Sequence, residues 1–185
     1  AKSGGTGISL ALDNNYMEPI ATTVVGSGGV NQITFTDIPQ GYKHLQIRMI
    51  GRSSDSAGTV NVNINYNGDN GSNYAWHRIF GNGTTAGAGG STSQTTSIIG
   101  QISGNTAGSN IFGVAVLDIL DYTNTNKYKT TRALFGFDDN NGGAGAVLNF
   151  FSGLWMNTDP ITSLKLTSGA GFMQYSRFSL YGIKG

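Results

Sequence analysis

Apolar and polar residues alternate along much of this chain with a period of two. Val60, Val62, Ile64 and Tyr66 are separated by Asn61, Asn63 and Asn65, the pattern of a strand with one buried and one wet face. The segment 44–49 repeats it, with Leu45, Ile47 and Met49 on the inward side. Residues 111–120, IFGVAVLDIL, are apolar on both faces, which predicts a central strand covered on both sides. Further strands are predicted at 20–25, 31–36, 76–80, 97–102, 127–137, 146–156, 161–167 and 175–184, most of them bounded by Gly, Asn, Asp or Pro clusters. No window of a dozen residues places apolar side chains three and four apart between recognisable caps. Many short strands with dense turn signals and almost no helical periodicity predict an all-β chain, an antiparallel β-sandwich of jelly-roll-like form. Val62, Ile64, Leu117 and Ile119 are expected in its core.

Three segments depart from the alternation. Residues 1–18 carry few apolar anchors and are expected to form an extended N-terminal arm, leaving 19–185 as a single β-sandwich domain. Residues 81–110 are of low complexity apart from Ile98, Ile99 and Ile102, so a short strand near 97–102 with mobile glycine-rich flanks is expected there. Residues 138–145, DDNNGGAG, read as a hairpin connection, because Asn-Gly tolerates the positive φ of tight turns.

Composition narrows the function. The chain has 185 residues, of which only 11% are charged while Gly alone fills 29 positions. Ten per cent aromatic and 38% hydrophobic residues suffice for a core, the opposite of a disordered composition. A net charge of +1 without a basic run argues against electrostatic binding to nucleic acid or an anionic membrane. No stretch approaches the roughly 20 apolar residues of a membrane helix, and residues 1–16 contain no apolar run of signal-peptide length. With no cysteine, disulfides, thiolate chemistry and cysteine-built metal sites are excluded.

Reactive groups are scarce. His44 lies in an alternating strand and His77 beside Trp76, and neither belongs to a nucleophile motif. Both read as half-buried sheet residues. Glycosidase chemistry needs two facing acids, but Glu18 is the single glutamate and sits in the arm. Asp118 is expected to pair with Arg132 on the next strand, since a carboxylate in a buried strand must find a partner. The clusters at 67–71 and 138–141 offer oxygen ligands of the kind calcium prefers, without the glutamate of an EF-hand loop, and read as turns. Gly81-Asn82-Gly83 has no helix to open, so it is no phosphate cradle. No catalytic, metal or cofactor residue is therefore assigned. Trp155, in the run 150–156, reads as core or interface. Tyr74, Trp76 and His77 are the candidate contacts for a ligand or partner, because aromatic faces stack on sugar rings and their neighbours are half polar.

Several stretches resemble a β-rich, jelly-roll-like domain of tailed-bacteriophage virion proteins. They are residues 18–23 (EPIATT) with 26–29 (GSGG), 42–48 (YKHLQIR), 117–122 (LDILDY) with 126–129 (NKYK), 152–157 (SGLWMN) and 175–184 (YSRFSLYGIK). These are strands and turns rather than a chemical signature. The family occurs as short capsid-associated proteins and at the ends of fibre proteins. The resemblance implies a virion component without enzyme activity, assembled in the host cytoplasm. Within that family, a short chain with a polar N-terminal arm and little reactive chemistry suits a capsid cement or decoration protein, expected to be a homotrimer whose partner is the major capsid protein or another virion protein. The competing reading is the tip of a tail or head fibre that recognises host surface glycan through Tyr74, Trp76 and His77.

Overall fold

The computed structural model describes residues 16–140 and 146–185. Residues 1–15 of the expected arm and 141–145 of the expected turn lie outside the described residues. Among the described residues the regular elements are twelve strands: β1 (Met17–Val24), β2 (Val30–Phe35), β3 (His44–Gly51), β4 (Thr59–Tyr66), β5 (Tyr74–Gly81), β6 (Ala86–Gln94), β7 (Ser97–Ser103), β8 (Gly113–Leu120), β9 (Lys129–Phe137), β10 (Val147–Trp155), β11 (Leu164–Phe172) and β12 (Arg177–Ile183). No helix occurs among the described residues. The strands build an eight-stranded sheet in the order β1-β12-β3-β8-β9-β10-β5-β6 and a four-stranded sheet in the order β2-β11-β4-β7. All neighbours are antiparallel, and the chain is an all-β antiparallel sandwich.

Alternation decides which face of each strand is buried. Val60, Val62, Ile64 and Tyr66 of β4 and Leu45, Ile47 and Met49 of β3 all point into the core, as do Leu117 and Ile119 of β8. Leu164 and Leu166 of β11 and Ile33 and Phe35 of β2 lie with β4 in the smaller sheet and face the residues of β3 and β8 across the core. Each such side chain taken from water contributes roughly 1.5–3 kcal/mol. The sheets approach closely at β7, where a Cβ on Gly100 would stand 2.0 Å from Cγ of Phe135. Glycine leaves room there for the ring of the opposite sheet.

Four expectations change. Asp118 and its neighbours are not covered on both sides: the strand starts at Gly113, and Val114, Val116 and Leu120 are exposed on its outer face. The described residues place no second layer over the larger sheet on that side. The segment 81–110 is not one loop around a short strand, because β6 runs for nine residues through its glycine-rich part. Met17 and Glu18, read as the end of the arm, already pair with Ile183 and Gly182. Asn65, read as wet, is buried.

Two buried cations hold the loops. Arg52 donates from Nη1 to the carbonyls of Gly108 (2.6 Å) and Ile111 (3.2 Å), and from Nη2 to those of Ala107 (2.8 Å) and Asn105 (3.1 Å). Lys129 donates from Nζ to the carbonyls of Asn124 at 2.7 Å and Thr158 at 2.9 Å. Burial pushes the Lys129 pKa down, against the pull of Asp159.

Candidate functional surface

The outer face of the larger sheet carries the one large set of exposed apolar side chains that cross-strand register brings together among the described residues. Register places Ile50 beside Val114, Val114 beside Gly136, Gly136 beside Leu148 and Leu148 beside Gly81. The next rung runs Arg48, Val116, Leu134, Phe150, Ile79 and Ala88. Ile50, Ile79, Val114, Val116, Leu134, Leu148 and Phe150 are between 40% and 62% exposed. Two rungs about 7 Å apart over six strands spaced ~4.8 Å give a belt with a footprint on the order of 300 Å². Patches of that size on a monomer are often functional.

Glycines shape this belt. Gly136 and Gly81 contribute no side chain between Val114 and Leu148, and an open hollow of about 550 Å³ forms there, walled by Val114, Val116, Leu134 and Leu148. The hollow is mainly apolar in its lining side chains, with Asn82 and Asp138 at its rim.

One rung further the face turns polar. Arg48 Nε donates to Gln46 Oε1 at 2.9 Å, and Gln46 Nε2 donates to Asp118 Oδ1 at 2.8 Å. Arg132 Nε donates to Asp118 Oδ2 at 3.0 Å, so the cross-strand ion pair anticipated from the sequence is present. Arg132 is more than half exposed, and such a pair adds about 0–1 kcal/mol. Its clearer consequence is that it consumes the acceptors of Asp118.

The three candidate contacts do not form one site. Tyr74 is completely buried. Its ring stacks with Tyr66 and Trp155, and its hydroxyl accepts from Tyr66 N (3.1 Å) and donates to Asp69 O (3.0 Å). Its polar neighbours in the sequence belong to a turn that folds back over it, which is why it cannot meet a ligand. Trp76 is half-buried against Phe151, ring centres 6.0 Å apart. His77 is exposed on the opposite face of the strand, and its ring lies over Gly90 of β6. Trp155, read as core or interface, is core.

The remaining acids and His44 are engaged with local partners. Asp121 closes a turn at φ 48°. The hydrogen bond from Lys127 lowers its pKa most; burial opposes this, and Lys43 adds to the lowering. Its backbone N–H donates to His44 Nδ1 at 2.9 Å. His77 stands three strands from Asp118, about 14 Å away by strand spacing. Among the described residues no three acids or histidines gather as a metal site would require. In the 67–71 turn, Asn67 Oδ1 accepts from the backbone of Thr162 and Ser163, and Asp69 accepts from Gly71, Asn73 and Trp155. These oxygens shape the turn. Sequence reasoning missed the apolar belt, whose only signal was a strand with Val or Leu where its outer face called for polar residues.

No family model matches this chain, and no curated protein matches it. Among solved structures, it is similar to an exo-inulinase from Aspergillus awamori at a TM-score of 0.33 and 12% identity. That match covers 92% of this chain and 29% of the inulinase.

Proposed function

We propose that this chain is a non-enzymatic structural protein of a bacteriophage virion, a cement or decoration protein that self-associates on the capsid and stabilises it. The observation that carries this reading is the apolar belt on the outer face of the larger sheet, which presents Val114, Leu134, Leu148 and Phe150 to solvent. A face of this kind gains stability when another protein surface covers it, and the hollow at Gly136 can receive an apolar side chain of the major capsid protein. The engagement of Asp118 and Asp121 by Gln46, Arg132, Lys43 and Lys127 supports a role in presenting surfaces rather than in moving protons. Many copies on one shell turn modest contacts into lasting attachment. The glycan-binding fibre tip is less well supported, since Tyr74 is buried and Trp76 and His77 face opposite ways. Quantifying this protein against the major capsid protein in purified virions tests the proposal. A cement role requires stoichiometry comparable with the shell subunits, whereas a few copies per particle contradicts it.

A further inference from the structure

We infer that the protein assembles by edge-to-edge pairing of β6 with β6 of a second copy, which extends the larger sheet across a twofold axis. This deepens the proposed function by naming the contact that builds the oligomer; it rests on that reading only for the role the oligomer plays. Sheet edges present unpaired backbone groups, and stable folds blunt them with charge, proline, bulges or short length. Three of the four edges here are blunted. β1 carries Pro19, a register shift beside it, and Glu18 paired with Lys184 at 2.7 Å. β2 has six residues and loses register with β11 beyond Thr167. β7 is interrupted by a bulge opposite Val62 and Asn63.

β6 has none of these defences over its first six residues. Its sequence, AGAGGSTSQ, holds no charge and no proline. Its register with β5 is unbroken from Ala86 to Ser91, and it ends the larger sheet. The glycines of this edge are covered by its neighbour: the Phe80 ring lies over Gly87 and the His77 ring over Gly90. Aromatic side chains on the adjacent strand thereby supply the packing that the glycines lack.

The occupant is a second copy of this chain for two reasons. A foreign strand added to an edge is selected through side-chain pockets beside it. The hollow beside β6 at Ala88 and Gly89 is open and walled by His77, Arg78, Ile79 and Phe150 of the neighbouring strands, and the small side chains of β6 add no selective contact to it. Two β6 strands meet without bulk or charge between them. An antiparallel pair about a twofold perpendicular to the sheet also keeps both outer faces on one side. The rung of Phe150, Ile79 and Ala88 then continues into the same residues of the second copy, and the two belts become one surface. Edge contacts bury little area and belong with the weaker interfaces, so the pair forms and dissociates with concentration. The contact is twofold, in contrast to the homotrimer expected of a cement protein.

Analytical ultracentrifugation over a range of concentrations tests this, using the wild type and two variants altered only at exposed positions. These are A86K/A88K/T92K and A86E/A88E/T92E. Wild type is expected to shift from dimer to monomer on dilution. Each variant alone should bind itself about tenfold more weakly or worse, since like charges oppose across the pair at any register. An equimolar mixture should regain the dimer, which also shows that both variants fold. Amide exchange on wild type supplies a measurement without mutation: β6 should gain protection as concentration rises. A wild type monomeric throughout, a dimer indifferent to the lysines, a mixture that stays monomeric or β6 exchange independent of concentration overturns the edge pairing. None of these results alters the copy count in virions, on which the proposed function stands or falls separately.

Discussion

Asp69 lies in the turn between β4 and β5 and accepts three hydrogen bonds. Gly71 N donates to Oδ1 at 2.7 Å, while Asn73 Nδ2 (2.9 Å) and Trp155 Nε1 (2.7 Å) donate to Oδ2. Burial works to raise its pKa, but the three donors prevail and hold it below the ordinary carboxylate value. The folded state therefore binds this proton less readily than the unfolded chain. The resulting stability is present above the ordinary carboxylate pKa and is lost as pH falls through the lowered one. Glu18, lowered by hydrogen bonds from Lys184 and Tyr42, and Asp121, lowered by Lys127 and Lys43, act in the same direction. Asp69→Asn is expected to cost about 1–3 kcal/mol at neutral pH, with the gap to wild type narrowing in acid. Melting temperatures taken in steps from neutral to acid pH check this. At this scale the pairing of Asp118 with Arg132 was legible, because adjacent strands of like parity bring such residues side by side. The burial of Tyr74 was not, because an aromatic ring with a hydroxyl serves a core and a binding site equally well.

Strand β4 shows what alternation determines and where it stops. Its apolar positions all point inward, and Asn61 lies exposed, with Oδ1 accepting from Gln101 Nε2 at 3.0 Å. Asn65 has the same parity but is buried, and its Nδ2 donates to the carbonyls of Thr95 (2.7 Å) and Asp69 (3.0 Å). Asn61→Ala should change stability by no more than about 0.5 kcal/mol, whereas Asn65→Ala, which removes the buried amide that ties the carbonyls of Thr95 and Asp69 to β4, should cost about 1–3 kcal/mol. Urea denaturation of both variants distinguishes the two. Glycine-rich β6 was illegible for a different reason. Its own side chains give no strand preference, and the rings of Phe80 and His77 that settle it there come from the preceding strand of the hairpin.

Across the whole molecule, the two faces of the larger sheet have different work. Leu117 and Leu134 lie on adjacent strands, one wholly buried and the other about half exposed. Leu117→Ala should cost about 2–5 kcal/mol, while Leu134→Ala should stay within about 0.5 kcal/mol, as denaturant midpoints would reveal. A large, concentration-dependent loss for Leu134→Ala would place the belt inside the oligomer. The chain's own pattern determined the all-β class, the position of most strands and the inward residues of β3 and β4, because a period of two assigns each side chain to a face without reference to the rest of the fold. Strand order was decided in three dimensions, and with it everything that depends on neighbours. Only pairing across the larger sheet sets Val114, Leu134, Phe150 and Ile79 in one belt. Because the smaller sheet packs on the inner face and no further layer among the described residues covers the outer one, that belt faces water. An apolar residue in a strand is written the same way whichever side is covered, and the covering is a property of the layers.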